Sequence, residues 1–538
     1  MADDNVYDFI VTGAGSAGCA VAARLSEDGR YRVLLLEAGL KDTNPWIHVP
    51  LGYTKTYTDA RLNWMFDSEP EAQLNGRTLY QPRGKVLGGT SSINGMVYMR
   101  GTPSDYDGWR QRGCEGWGYD DVLPYFRKAE NQQRGADEFH GVGGPLDVSE
   151  PVRSALGDAM VKAAVEAGIP PNDDFNGARQ EGAGYYQTTT RNRRRWSSAR
   201  AYLGAAKGRR NLTVETQAHA TRIVFDGARA VGVEYRTPQG HKTARARGEV
   251  VVSGGVYGSP QLLQLSGVGP GDLLADFGIP VVRAMAGVGK HLHDHFNTYL
   301  VWRCARKVTL NDLASSPLRK LMSGVQYVFT RSGHLSNAGI YAGAFVRSDP
   351  RLEQPDLQIN MFGWSTYQRL RTGMKPHPFS AFTLSPVHLR PEGRGTVRIK
   401  SADPLAPPAI RFNFLASDYD FQALIYGTRL CRKIAQQPAL QPFVGEEVVP
   451  GDACRTDDQI VEEIRVRGVS NLHPVGTCRM GREVDAVVDP RLRVHGIEAL
   501  RVADASIMPQ VPGGNTNAPA IMIGEKCAAM ILQDARGR

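Results

Sequence analysis

The 538-residue chain contains no run of eighteen apolar residues, so nothing in it reads as a membrane span. Its seven cysteines, Cys19, Cys114, Cys304, Cys431, Cys454, Cys478 and Cys527, are scattered, odd in number and free of any CxxC pair. That pattern argues against a disulfide framework or a zinc knuckle and favours a reducing compartment. The formal charge is +9, yet no zinc-finger, helix-turn-helix or RNA-binding signature accompanies it, so nucleic acid is not expected as a partner. The longest basic run, Arg193-Arg194-Arg195, reads as a solvated face or as internal ion pairs. The first fifteen residues lack a basic segment followed by an apolar one, so no secretory leader is expected. A cytoplasmic location follows, and the basic balance is compatible with attachment to the inner membrane as a peripheral protein.

What is present is an ordinary globular composition, 41% hydrophobic and 22% charged, with 59 glycines gathered in clusters. The length exceeds one ordinary core and implies two or three domains. The first cluster is Gly13-Ala14-Gly15-Ser16-Ala17-Gly18, between a strand-like Tyr7–Val11 and a helix-like Cys19–Ser26. A second apolar run, Arg32–Leu36, ends at Glu37. Strand, glycine turn, helix, strand and acid make a dinucleotide-binding βαβ unit. Gly13 permits the tight turn, Gly15 lets a pyrophosphate reach the backbone, and Gly18 lets helix pack close to strand. The helix N-terminus offers free N–H groups to phosphate, and Glu37 can accept hydrogen bonds from ribose hydroxyls. An acid there disfavours a 2′-phosphate; the motif by itself fits NAD and FAD alike.

A second cluster runs Gly84-Lys85-Val86-Leu87-Gly88-Gly89-Thr90-Ser91-Ser92-Ile93-Asn94 and suits a loop packed on a flat ligand. A third, Ser253-Gly254-Gly255-Val256-Tyr257-Gly258, follows the apolar Val250–Val252 and brings the chain back to the nucleotide-binding sheet after about residue 210. Near the end, Arg501–Asp504 reads as a short strand, Pro512–Thr516 as a polar turn and Asn517–Ile531 as a closing helix. The weakly patterned stretch 306–464 reads as an α+β layer over the ligand.

These segments, in this order, resemble the glucose–methanol–choline (GMC) family of FAD oxidoreductases over nearly the whole chain. Residues 84–101 are similar to the family's first signature, 255–269 to its second with Val256 in place of a small residue, and 473–481 to its catalytic-histidine motif. Among its members, the choline-dehydrogenase-like and bacterial alcohol dehydrogenase branch is nearest. The resemblance implies an α/β fold: a Rossmann-like FAD-binding domain over 1–155, 206–305 and 465–538, and a discontinuous α+β substrate domain over 156–205 and 306–464. It implies cofactor contacts from the first turn (Gly13, Ala14, Gly15, Ser16, Ala17 and Gly18), from Glu37 and Ala38, and from Val86 and Gly89. Asn94, Gly95, Met96 and Val97 would meet the isoalloxazine, and the Ala220 backbone the adenine. Asp504 and Ala505 would reach the ribityl–pyrophosphate region, and Asn515 and Thr516 the pyrimidine end. Some members attach FAD through a histidine before the asparagine of the first loop; here that residue is Ile93, so FAD is expected to be non-covalent.

Oxidising an alcohol removes a hydride from carbon and a proton from oxygen. The resemblance assigns the proton to His473 as general base and the substrate oxygen to Asn515. Taken alone, one histidine before a proline reads as a buried structural residue. His291-Leu292-His293-Asp294-His295 has metal-like spacing, but the resemblance makes it a structural turn, and no metal is expected. The stretch aligned with the choline-binding segment, Ser336–Phe345, has no carboxylate. A buried quaternary ammonium would then lack a counter-charge, so a small neutral primary alcohol is the expected substrate. His48, Trp64, Tyr341 and Trp364 are candidate pocket residues. The electron acceptor is open among a quinone, a dye-like acceptor and oxygen. An oxidase releasing hydrogen peroxide and a non-redox FAD hydroxynitrile lyase are the alternative activities.

Overall fold

The computed structural model describes residues 5–536. Val6–Thr12 (β1) and Val33–Glu37 (β2) bury nearly every side chain, as strands covered on both faces must. With Leu212–Thr216 (β3), Gly240–Val252 (β4) and Leu500–Val502 (β5) they form a parallel sheet in the order β3-β2-β1-β4-β5. The antiparallel strands His219–Asp226 and Arg229–Thr237 widen it against the first half of β4.

Helix Ser16–Leu25 (α1) leaves β1 and helix Gly255–Leu265 (α2) leaves β4 at the same sheet edge. The C-terminal helix Asn517–Arg536 begins there too, since Ser16 Oγ donates to Asn517 Oδ1 at 2.7 Å. Three helix N-termini therefore face one crevice at the carboxyl ends of the strands, where open α/β sheets bind ligands. α1 starts at Ser16 rather than at Cys19, because Gly15 already serves as its N-cap.

A second, antiparallel sheet stands across that crevice. Its main order is Val444–Val449, Leu300–Cys304, Ala381–His388, Leu357–Phe362, Ile340–Val346 and Gly182–Tyr185. Phe296–Asn297 and Val469–Ser470 join it at one side. The chain thus enters this sheet before the change-over expected after 305, and it is still there beyond the return expected at 465. The cause is local: Phe296–Asn297 and Val469–Ser470 pair with each other, next to His295 and His473. Helix Leu310–Ala314 (α3) and helix Pro317–Thr330 (α4) lie at the outer edge of this layer.

The last strand is tied in by charge as well as by the ladder. Arg501 on β5 donates from Nε to Glu249 Oε2 at 2.6 Å and from Nη2 to Asp534 of the C-terminal helix at 2.7 Å. The side chains of Arg501 and Glu249 are only 1% and 6% exposed. Removing one partner strands the other in a low dielectric, which costs about 3–5 kcal/mol. Arg501→Leu is therefore expected to lower the thermal unfolding midpoint by several degrees; an unchanged midpoint would show that the pair does not anchor β5.

Candidate active site

The glycine turn is built by close approach. Gly13 has φ +98°, and a Cβ there would lie 2.3 Å from Ser253 O; a Cβ on Gly18 would lie 1.9 Å from Gly13 O. A Cβ on Gly15 would meet nothing within 4 Å, so this residue faces the crevice. Glu37, at the end of β2, takes the Ala14 N–H on Oε2 at 3.0 Å and the Gly39 N–H on Oε1 at 2.8 Å. Those two bonds use about half the lone pairs of a carboxylate and leave the rest for a diol. Burial pushes this carboxyl up to about 7, against the pull of the two amides. Beside it, Ala218 N donates to Glu37 O at 2.8 Å, which sets Ala220 at the same end of the crevice.

The loop 84–97 crosses this turn; a Cβ on Gly89 would come 2.8 Å from Gly15 Cα. It ends in a left-handed residue, Met96 (φ +63°), in a region unfavourable for a side-chain-bearing residue. Asn94 Oδ1 holds that turn by accepting from Met96 N at 3.0 Å. Under the loop is Arg195, fully buried. It donates to Ile47 O at 2.8 Å, to Asn94 Oδ1 at 2.7 Å and to Asn94 O at 2.6 Å. Burial lowers this guanidinium to about 9. The basic run is thus divided: Arg193 and Arg194 are exposed, whereas Arg195 is neither solvated nor ion-paired but caps carbonyls of the loop.

At the other end of the crevice, His473 and Asn515 meet. Asn515 Nδ2 lies 2.9 Å from His473 Nε2. With the Asn515 amide nitrogen as donor, Nε2 carries the lone pair and Nδ1 the proton; His295 Nδ1 lies 3.1 Å and Asn471 Nδ2 3.3 Å from that Nδ1. Asp294 Oδ1 accepts from the His473 N–H at 2.7 Å, and its other oxygen takes the Ser470 hydroxyl. Burial, aided by the Arg83 charge, pushes the His473 imidazole down to about 3, so it is neutral at physiological pH. His295 is held well below its usual range by burial and by His473. Asn515 Oδ1 and His295 Nε2 are buried without a hydrogen-bond partner among the described residues. An orphaned carboxamide oxygen beside a neutral imidazole is the kind of group a bound molecule would satisfy.

The loop carrying Asn515 is pinned from three sides. Val511 N donates to His293 Nε2 at 3.0 Å, Gly513 N to Asp105 Oδ2 at 2.9 Å, and Gln180 Nε2 to Gly513 O at 2.6 Å. The His-rich segment is therefore a scaffold: His291 bonds Asp485 at 2.5 Å, His293 holds the loop and His295 backs His473. Sequence reasoning missed the scaffold roles of His293, Asp294 and His295, because the partners are remote in sequence; the alternation of the segment was the one available signal.

The expected cofactor residues divide by exposure. Gly13, Gly15, Ser16, Ala38, Asn94, Gly95, Ala220, Ala505, Asn515 and Thr516 are partly open, while Ala14, Ala17, Gly18, Val86, Gly89, Met96, Val97 and Asp504 are buried. Asp504 accepts from Gly255 N at 2.9 Å and so fixes the start of α2. Of the candidate pocket residues, Trp364 packs with Leu310 and Phe362 near Ile340, which lies 3.2 Å from a Cβ built on Gly95. Trp64 stands apart from these, against His219 and under Lys85 on the Glu37 side. Tyr341 is interior to the antiparallel sheet, and His48 bonds Asp42 O at 2.8 Å. A surface cavity of about 570 Å³ lined by Arg482, Arg491, Arg493 and Lys526 shares no residue with the crevice.

Models described as GMC oxidoreductase match residues 7–297 and 391–524. The chain is 43% identical over 532 residues to "Alcohol dehydrogenase [acceptor]" of Pseudomonas putida, covering 98% of this chain and 96% of that one. It is 43% identical to the mitochondrial choline dehydrogenase of Homo sapiens, covering 98% and 89%. A formate oxidase of Aspergillus oryzae, solved for the effect of a mutation on FAD modification, superposes with a TM-score of 0.92 at 27% identity and full coverage of both chains.

Glu37 yields a pH prediction. Held at about 7 in the cofactor-free chain, its carboxyl is mostly protonated at pH 6, whereas a ribose diol donating to it favours the ionised form. Binding then expels a proton, and affinity rises with pH through 7. Titration of the cofactor-free chain with FAD should give binding about tenfold weaker at pH 6 than at pH 8. Glu37→Gln should bind weakly at both; a wild-type affinity flat across this window would remove Glu37 from the site.

Proposed function

The chain belongs to the GMC oxidoreductase family of FAD-dependent enzymes, and from that premise we propose that it oxidises a small neutral primary alcohol to the aldehyde on non-covalently held FAD. The observation that carries this reading is the 2.9 Å contact between the Asn515 amide and the His473 lone pair, at the end of a crevice walled by the Asn94–Val97 loop. The crevice fits the cofactor: a glycine turn open to phosphate at Gly15, carboxylate capacity at Glu37 and an orphaned carboxamide oxygen at Asn515. Ile93 offers no atom for covalent attachment.

Bound FAD supplies a two-electron acceptor for hydride. The chain's residues manage the alcohol oxygen. A substrate hydroxyl that replaces the direct Asn515–His473 hydrogen bond, with the two side chains parting to admit it, donates to Nε2 and accepts from the amide N–H. Burial favours the neutral imidazole, which leaves a lone pair on Nε2 for the hydroxyl proton. As negative charge develops on the oxygen, the Asn515 N–H stabilises it without competing for its proton, and the proton passes to Nε2. His295 fixes which ring nitrogen faces the substrate, and Asp294, through the backbone, fixes where the ring sits.

Leu310, Phe362 and Trp364, with Leu51, Tyr53, Ile340 and Met374 packed against them, form an apolar group that reaches the Gly95 end of the loop through Ile340. An apolar group there supports a substrate with a hydrocarbon chain or ring. The Pseudomonas putida relative is named for an unspecified acceptor, which favours a dehydrogenase passing electrons to a quinone or dye-like acceptor over an oxidase.

His473→Ala is expected to keep bound, oxidised FAD while its turnover with an alcohol and a dye acceptor falls about a hundredfold or more. Turnover at the wild-type rate would exclude His473 as the base.

A further inference from the structure

Helix α4 turns its apolar side the wrong way for a globular protein. Only Ser323 and Tyr327 are buried, and the Tyr327 hydroxyl donates to Arg193 O at 2.9 Å. Leu318, Leu321, Met322, Val325, Val328 and Phe329 are instead 65%, 66%, 62%, 49%, 62% and 83% exposed. At about 100° per residue these six fall within one arc of roughly 120°, directed away from the body of the protein. A surface helix ordinarily points such a stripe at the core. A contiguous apolar face of this kind marks an interaction surface.

Along its own stretch of chain the charge has one sign, the nearest acids being Asp312 in α3 and, at the hairpin of residues 366–376, Asp67 paired with Arg371. From residue 313 to 348 the sequence contains no aspartate or glutamate. Arg319, Lys320 and Arg331 flank the stripe and are exposed, and among the described residues Arg319 and Lys320 make no ion pair. A second exposed apolar group lies beyond α3: Tyr367 and Leu370, 50% and 49% exposed, on the hairpin of Thr366–Leu370 and Gly373–Pro376. Asn311 of α3 clamps the base of that hairpin through Ser365 O at 2.9 Å and His377 O at 3.0 Å. Residues 357–391 also lack any acid.

We propose that the outward face of α4 is a docking surface for an anionic lipid bilayer, with the hairpin beside it. An apolar stripe set among unpaired cations matches an interface that offers hydrocarbon below a layer of negative headgroups. A second copy of the chain fits less well, since a self-complementary contact would bring Arg319, Lys320 and Arg331 of both copies together without a compensating acid. Among the described residues no helix is long and apolar enough to cross a membrane, so α4 lies in the plane of the interface.

The test uses the full-length FAD-loaded protein sedimented with vesicles of phosphatidylcholine, with and without phosphatidylglycerol. The wild type is expected to co-sediment with the anionic vesicles, less with the neutral ones, and less again at high salt. The double variant Leu321→Glu, Phe329→Glu should bind anionic vesicles about tenfold or more weakly, while oxidising alcohol normally in vesicle-free buffer. Wild type left in the supernatant with anionic vesicles, or a variant that sediments equally well, overturns the proposal. So does a wild-type dimer that the variant dissociates in the absence of vesicle binding. Vesicle binding without alcohol oxidation would leave this surface standing and remove the proposed reaction instead.

Discussion

The proposed chemistry depends on holding one amide 2.9 Å from one imidazole across 42 residues of chain. His473 is positioned through its own backbone N–H, which Asp294 accepts, and through its ring, which His295 backs. Asn515 rides on a loop fixed by His293, Asp105 and Gln180. One short segment, His293–His295, therefore serves both sides of the contact. The segment is tied on both sides: His293 pairs with Val475 across an isolated bridge, and Phe296 starts the strand that follows.

The electrostatics of the crevice follow from burial. The imidazoles of His473 and His295 are driven down and the carboxyls of Glu37 and Asp294 are driven up, Asp294 to about 6. Burial biases all four groups toward their neutral forms, opposed at the two carboxyls by hydrogen bonds and by the charges of Lys85 near Glu37 and Arg83 near Asp294. Arg195 is the exception, a cation under the Asn94 loop neutralised only by carbonyl dipoles. A guanidinium in that position straps a strained turn at Met96 that the loop's own sequence does not favour.

The parts legible in the sequence were those where backbone chemistry leaves a residue-level mark. The first βαβ unit could be read because only glycine tolerates the approach of Gly13 to Ser253 and of Gly18 to Gly13, and the acid at Glu37 closed the pattern. His473 and Asn515 were legible through a family resemblance, not through spacing. What stayed hidden depends on long-range placement. Arg195 looked like one of three surface cations, and the histidine cluster looked like a turn, because their partners lie in other elements. The periodicity of α4 marks an apolar stripe but carries no information about which way the stripe faces; that is decided by Ser323 and Tyr327 packing inward. The pairing of Phe296–Asn297 with Val469–Ser470 was hidden for the same reason, since two-residue strands are made by their neighbours rather than by their own composition.

The central claim is that an alcohol oxygen sits between Asn515 and His473 while its carbon gives up a hydride. It is tested most directly by mixing FAD-loaded protein with a series of neutral primary alcohols in the absence of oxygen and following flavin absorbance near 450 nm, an approximate wavelength for bound oxidised flavin. The account predicts rapid bleaching by at least one member of the series, with choline much slower. Flavin that stays oxidised with every alcohol, in protein that retains its cofactor, would contradict it.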